Sequence, residues 1–197
     1  MTALAVSNVV LWVLVLVLAA VVLALTRQLG VLHQRIAPAG ALMLNRGLTV
    51  GGPAPVLELA ALDGRAVSVG VARPDGRSTL LLFVSPTCPV CKSLLPAVKS
   101  SRKDERSWMD VILASDGDLA EQREFVRAQG LEEIPYVVSA ALGLAYQVSR
   151  LPFAALLDEH GVLRARGLVN SREHLESLFE AKRLSVASLQ EYFSGAA

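Results

Sequence analysis

Residues 79–103 read TLLLFVSPTCPVCKSLLPAVKSSRK. The continuous apolar run from Thr79 to Val84 is typical of a strand that is buried on both faces of a sheet. A short turn follows, and residues 88–103 are predicted to form a helix. Cys88 and Cys91 are therefore expected where a central strand passes into a helix.

This position gives the two cysteines different chemical roles. At the start of a helix, unpaired backbone N–H groups and the helix dipole favour a thiolate, which is the nucleophile in disulfide exchange. Pro89 suits the first helical position because it has no N–H to leave unpaired. Cys91 comes nearly one turn later, after Val90, and shares a face with Cys88. We predict that Cys88 attacks and that Cys91 resolves the mixed disulfide, closing a Cys88–Cys91 redox disulfide.

The residue counts limit the other functions of this pair. With only two cysteines the chain has no disulfide-stapled fold, and a structural zinc site would need four ligands. The three histidines have no ligand spacing, so neither a metal nor a cofactor is expected. An inert buried pair remains an alternative. The 19 basic and 18 acidic residues provide no clustered basic excess, and nucleic acid is not expected as a partner.

Strand and helix patterns alternate through the rest of the globular part. Asp118 and Glu121 form a capping-box pattern for a helix that ends near Gly130, with Leu119, Phe125 and Val126 expected on its buried face. The other predicted elements are strands at 56–59, 67–69, 109–114, 153–157 and 162–167, and a last helix capped by Ser171. The order of the elements predicts an α/β domain with a central mixed sheet and helices on both faces.

The N-terminal segment is apolar enough to cross a membrane. No charged side chain occurs before Arg27, and residues 4–25 contain only two polar side chains, Ser7 and Asn8. A helix over residues 4–25 would be about 33 Å long, enough for a hydrocarbon core of about 30 Å. We predict a retained transmembrane anchor at residues 1–26 that contacts membrane lipid through residues 4–25. A cleaved signal peptide and a buried core helix are the alternatives.

The predicted anchor is the first of three parts of the chain, and its flanking charges bear on which side of the membrane the domain occupies. A tether is predicted at residues 27–50, and the break Gly51-Gly52-Pro53-Ala54-Pro55 opens a globular domain at residues 51–197. Arginines follow the apolar run and none precede it, which by the positive-inside rule places the domain in the cytoplasm. Long translocated domains override that rule, so the charges leave the orientation open.

The surroundings of the cysteines resemble the thioredoxin superfamily. Lys92, directly after the second cysteine, and Pro96, inside the predicted helix, both fit the active-site helix of that superfamily. The elements Gly52-x-Ala54-Pro55 and Leu62-Asp63-Gly64 resemble its membrane-tethered redoxin branch. The resemblance implies a thioredoxin-like fold, in which a central mixed sheet is flanked by helices.

The same resemblance implies supporting residues around the cysteines. Leu151 and Pro152 occupy the position of a cis-proline that faces the CxxC motif and presents backbone to the substrate. The dipeptide between the cysteines, Pro89-Val90, is not one of the commonest in the superfamily. Leu82 stands where many members have a buried acid, so the group that handles the proton of the second cysteine does not follow from the resemblance.

A narrower resemblance extends over nearly the whole chain. The anchor, the segment FVSPTCPVC at residues 83–91 and the segment at residues 136–171 are similar to the MauD family of methylamine utilisation accessory proteins. That family is implicated in maturing the disulfide-rich, quinone-bearing small subunit of periplasmic methylamine dehydrogenase. The resemblance implies that this subunit is the client. It also implies a single-pass protein of the inner (cytoplasmic) membrane whose domain lies in the periplasm.

These expectations define a thiol–disulfide oxidoreductase of the protein disulfide oxidase or isomerase type. An unidentified redox partner would recycle the Cys88–Cys91 pair. The direction of electron flow depends on reduction potential and does not follow from the motif. The alternatives are a tethered disulfide reductase for cytochrome c assembly, a non-catalytic assembly chaperone for the client subunit and, more remotely, a peroxidase.

Overall fold

The chain divides into two units. A computed structural model describes residues 6–8, 11–21 and 48–184. Contacts between Cα atoms divide the chain into Met1–Arg46 and Gly47–Ala197. The two units are described separately below.

The described part of the first unit is helical. Residues 6–8 and 11–21 adopt helical conformation, and their side chains are exposed. Among the described residues, no helix has both the length and the apolar character that a membrane crossing requires. The predicted anchor at residues 1–26 lies partly outside the described residues, as does most of the tether at 27–50, and both stay predictions.

Within residues 48–184 the second unit contains seven strands in two sheets. In chain order the strands are β1 (Leu57–Ala60), β2 (Ala66–Val69), β3 (Ser78–Phe83), β4 (Met109–Ser115), β5 (Tyr136–Val138), β6 (Phe153–Leu157) and β7 (Leu163–Leu168). β1 and β2 form an antiparallel hairpin, and the other five have the order β5-β4-β3-β6-β7. β3 pairs in parallel with β4 and antiparallel with β6, so the predicted central mixed sheet is confirmed.

In the described part of this unit, four helices accompany these strands. They are α1 (Pro89–Asp104), α2 (Leu119–Gln129), α3 (Ala140–Ala145) and α4 (Arg172–Arg183). The Asp118 side chain accepts from the backbone N–H groups of Ala120 and Glu121, and Gly130 ends α2 in the left-handed region at φ 58°. The Ser171 hydroxyl caps α4. The sequence predicted both caps, and both are confirmed.

Each face of the five-stranded sheet has its own core. Leu80, Leu82 and Val84 of the β3 segment pack with Cys91 and with apolar side chains of α1, α2 and α4. Leu81 and Phe83 point to the other face and pack with the β1–β2 hairpin and α3. Alternation along β3 thus sends successive side chains into two cores, and this explains why the whole strand is apolar.

The chain before β1 covers the open edge of β7. The Gly51 N–H donates to the Leu163 carbonyl at 2.7 Å, and the Leu163 N–H donates to the Gly52 carbonyl at 3.0 Å. Leu48, which the sequence places in the tether, is buried in the core that contains Leu81. The residues just before the glycine–proline break therefore contribute to the packing of the domain.

Three details of the sequence-based prediction differ from the structure. β5 and α3 were not predicted, because elements of three and six residues are too short to show a period. Leu119 was expected on the buried face of α2 but is 51% exposed. It lies in the first turn, next to the exposed loop 116–118. Gln122 is buried on that face instead.

Candidate active site

Cys88 lies at the junction that the sequence predicted. Val84 continues the pairing of β3 with β4, because its N–H donates to the Ala114 carbonyl at 2.9 Å. The turn that follows is held by the Cys88 N–H, which donates to the Ser85 carbonyl at 3.2 Å. The Ser85 hydroxyl also accepts from the Thr87 N–H. Cys88 is the N-cap residue of α1, with extended backbone angles of φ −90° and ψ 109°.

The two sulfurs differ in exposure. Cys88 is partly exposed, and Pro89 and Val90 beside it face solvent. Cys91 is fully buried in the core on its face of the sheet. Cys88 is therefore accessible from solvent, and Cys91 is not. This difference fits the predicted roles of attacking and resolving cysteine, which stay predictions.

A hydrogen bond joins the two cysteines. The Cys91 N–H donates to the Cys88 sulfur at 3.2 Å, so that the Cys88 side chain caps its own helix. Burial, and then the neighbouring Cys88 sulfur, raise the pKa of the Cys91 thiol to about 12. At neutral pH Cys91 is therefore a thiol.

Leu151 and Pro152 lie at the same end of the sheet as the cysteines. The bond between them is cis, as the resemblance implied. Phe83 pairs with Phe153, and the antiparallel register places Pro152 opposite Val84. The Pro152 carbonyl accepts from the Val169 N–H at 3.1 Å. Leu151 is 37% exposed, and within residues 48–184 its backbone forms no hydrogen bond to other backbone groups.

The residue at the position where many members of the thioredoxin superfamily have a buried acid is apolar in this chain. Leu82 is fully buried and pairs with Leu113 of β4 and Ala154 of β6. The sequence did not single out the polar groups near this position. Tyr136 of β5 donates a hydrogen bond to Gln122 of α2 at 2.7 Å, and both side chains are buried. The signal that could have found them is a glutamine one turn before Phe125 and Val126, on the apolar face of a helix.

Among the described residues, no group of three or more histidine, cysteine, aspartate or glutamate side chains is placed to hold a metal ion. The candidate site consists of the two cysteines, the exposed Pro89-Val90 pair and the Leu151-Pro152 segment. Two cysteines at this spacing are able to carry out thiol–disulfide exchange.

Comparisons of the sequence show the relatives of this chain. The Redoxin family profile matches residues 49–182. The methylamine utilization protein MauD of Methylobacillus flagellatus is 48% identical over 186 residues, which cover 94% of this chain and 90% of that protein. MauD of Paracoccus denitrificans is 46% identical over 188 residues, which cover 95% and 93%.

Solved structures share the fold at lower identity. StoA from Bacillus subtilis matches with a TM-score of 0.55 at 21% identity, over 66% of this chain and 98% of that chain. The exposed lipoprotein thioredoxin of Streptococcus pneumoniae matches with a TM-score of 0.56 at 20% identity, over 64% and 99%. With the strand order described above, these matches confirm a thioredoxin-like α/β fold.

Proposed function

The chain belongs to the Redoxin family and, within it, to the MauD methylamine utilisation proteins, and from this we propose that it is a thiol–disulfide oxidoreductase that matures methylamine dehydrogenase. The observation that carries the proposal is the pairing of a partly exposed Cys88, at the start of a helix, with a fully buried Cys91. The proposed client is the quinone-bearing small subunit of the dehydrogenase.

The reaction proceeds by two exchanges. The Cys88 thiolate attacks one sulfur of a client disulfide, forms a mixed disulfide and releases the other client sulfur as a thiolate that takes up a proton. The Cys91 sulfur, after losing its proton, attacks the Cys88 sulfur and releases the second client thiol. The client gains two electrons and the Cys88–Cys91 pair loses two. The reverse sequence oxidises two client thiols, and a separate redox partner restores the pair.

Rearrangement of client disulfides uses the first exchange alone. A second client thiol attacks the mixed disulfide before Cys91 does, which returns Cys88 as a thiolate and leaves the client with a different pairing. No net electrons pass in this case. The lifetime of the mixed disulfide therefore separates isomerisation from net oxidation or reduction.

The proposal includes the cellular location. The apolar residues 4–25 anchor the chain in the inner (cytoplasmic) membrane, and the domain lies in the periplasm beside a periplasmic client. Fusions of alkaline phosphatase and of a cytoplasm-restricted fluorescent protein to the C-terminus test this. Alkaline phosphatase activity without fluorescence is expected, and the opposite result places the domain in the cytoplasm.

Trapping of the mixed disulfide tests the function. In cells that express Cys91→Ser, the exchange stops at the mixed disulfide, and we expect a covalent complex with the small subunit of methylamine dehydrogenase that is lost on reduction. The matched control, Cys88→Ser, keeps Cys91 and should trap nothing because that thiol is buried.

The same experiment separates the alternatives. A complex with a haem-binding cytochrome in place of the dehydrogenase subunit would favour a reductase for cytochrome c assembly. If the dehydrogenase matures normally when both cysteines are replaced by serine, the chain is a non-catalytic chaperone and the proposed exchange is wrong.

A further inference from the structure

The solvent-facing side of α1 carries a line of lysines. Lys92, Lys99 and Lys103 are exposed, and their spacings of seven and four residues place them on one side of the helix. Cys88, the partly exposed cysteine, precedes Lys92 by four residues and lies at the head of the same line. At a rise of 1.5 Å per residue, Lys103 lies about 22 Å along the helix axis from Cys88. We call the three lysines the lysine face.

The lysine face contains three of the four lysines of the chain. The fourth, Lys182, forms an ion pair with Glu159 at 3.0 Å. Within residues 48–184, no carboxylate forms an ion pair with any of the other three, and the Lys99 Nζ donates to the backbone carbonyl of Gln129 at the end of α2. The positive charges of the lysine face are therefore available to a partner.

Acidic side chains are absent from the sequence around this face. Residues 76–103 contain no aspartate or glutamate. The first turn of α1 has no acid, whereas the first turns of α2 and α4 have Glu121 and Glu173. Acids stabilise the start of a helix, so helix stability does not explain their absence from α1. Asp104 and Glu133, on the flanks of the far end of α1, are paired with arginines.

We propose that the lysine face binds an acidic segment of the protein client while Cys88 reacts with a disulfide of that client. The inference rests on the proposed function and deepens it, because it specifies the charge of the client surface. Complementary charges at the rim of an interface mainly accelerate association, so the effect falls on the first exchange. A lipid surface against the same face would cover Cys88 and exclude the client.

The test measures the first exchange with two peptides and the full-length chain in a neutral, mild detergent. Each peptide has one cysteine in a disulfide with an aromatic thiol, followed by a spacer of five glycine and serine residues and then by four glutamates or four glutamines. The extended spacer is about 17 Å long, which is about the length of helix between Cys88 and Lys99.

The colour that develops reports the first exchange alone. The Cys88 thiolate forms a bond to the peptide sulfur, and the aromatic thiol leaves as a coloured thiolate with the electron pair of the broken disulfide. The later attack of Cys91 on the Cys88 sulfur releases the peptide thiol, which is colourless.

The variant Lys99→Gln/Lys103→Gln removes the two charges of the lysine face that are remote from the reacting sulfur. Both lie farther from Cys88 than the Debye length of about 10 Å at 0.1 M salt, so their loss leaves the reactivity of the sulfur unchanged. Lys92 is retained because it lies one turn from Cys88 and its charge acts on that sulfur directly.

At low ionic strength the wild type should react roughly three- to tenfold faster with the glutamate peptide than with the glutamine peptide, as two exposed ion pairs would give. Lys99→Gln/Lys103→Gln should lose most of this preference and react with the glutamine peptide at the wild-type rate. About 0.5 M salt should abolish the preference of the wild type, because exposed charges are screened.

Arg123→Gln/Arg127→Gln is the matched control. Both arginines are exposed on α2, border the β1–β2 turn and form no ion pair within residues 48–184. This variant loses the same charge and should keep the wild-type preference. An equal loss of preference in the arginine variant, or an unchanged preference in the lysine variant, overturns the inference. Equal rates of the wild type with both peptides also overturn it and leave another anionic surface, such as lipid headgroups, as the partner of the lysines. If neither peptide releases the aromatic thiolate, the proposed function itself is wrong.

Discussion

The backbone N–H of Cys91 donates to the sulfur of Cys88 over 3.2 Å. One cysteine therefore caps the helix that holds the other. The Cys88 side chain thus holds the start of α1, while Cys91 projects from the same turn into the core.

The two cysteines should differ greatly in their rate of alkylation. Burial, and then the neighbouring Cys88 sulfur, raise the pKa of Cys91 to about 12, so Cys91 is a thiol at neutral pH, and the residue is fully buried as well. In native protein, iodoacetamide followed by mass spectrometry should label Cys88 alone. Unfolding the protein in denaturant is the control and should label both sites at similar rates. Labelling of Cys91 at the rate of Cys88 in native protein would contradict the assigned roles.

Replacement of Cys88 should affect stability through the helix cap. Cys88→Ala removes the acceptor for the Cys91 N–H and should lower the free energy of unfolding by about 1 kcal/mol relative to Cys88→Ser, whose hydroxyl is a favoured cap. Denaturant unfolding of the two reduced variants measures the difference. The pair Ser93→Ala and Ser93→Gly in the exposed part of the same helix provides a scale for simple helix propensity. Equal stability of the two Cys88 variants would mean that a side-chain acceptor at residue 88 does not stabilise the start of the helix.

Local sequence patterns allowed most of the fold to be predicted. The apolar run at 79–84, the helix that starts at Cys88 and the Asp118 and Gly130 caps depend on neighbours within a few residues, and sequence patterns report such neighbours directly. By contrast, the pairing of β5 with β4 and the hydrogen bond between Tyr136 and Gln122 depend on tertiary packing. Tyr136 and Gln122 are 14 residues apart and have no local signature, so sequence reasoning missed this buried pair.

The apolar character of Leu82 gives a pH-dependent prediction. Leu82→Asp would bury a carboxyl group at a fully buried position between β4 and β6 and should cost about 3–5 kcal/mol at neutral pH. Burial raises the pKa of a carboxyl group in the folded state above its unfolded value of about 4, so the folded state binds more protons. Stability relative to wild type should therefore fall as pH rises above about 4.

Leu82→Asn provides the control for that experiment. It places a polar group of similar size at the same position but does not titrate. Unfolding in urea at several pH values should give a constant difference from wild type for Leu82→Asn and a growing one for Leu82→Asp. Parallel behaviour of the two variants would show that the site is hydrated and that a carboxylate there remains charged.

Asp158 should account for part of the loss of stability in acid. It is 2% exposed, and its carboxylate accepts from the N–H groups of His160 and Val162 and from the Arg164 guanidinium. Burial alone would raise the pKa of Asp158, but these three hydrogen bonds outweigh it and leave the pKa below its ordinary value. A depressed folded-state pKa stabilises the protein above the unfolded value, near 4, and this stabilisation is lost as pH falls through the folded value.

Asp158→Asn should therefore cost about 2 kcal/mol at neutral pH, and the difference from wild type should shrink as pH falls below about 4. Asp63→Asn is the matched control, because Asp63 also accepts from a backbone N–H and from an arginine, both of Arg65, but lies at the surface. Solvent screens that pair, so its loss should change stability much less at every pH. Thermal unfolding of the two variants across the acid range measures both effects. If the Asp158→Asn difference stays constant down to the lowest pH, the carboxyl group titrates alike in the folded and unfolded protein, and its three hydrogen bonds do not lower its pKa.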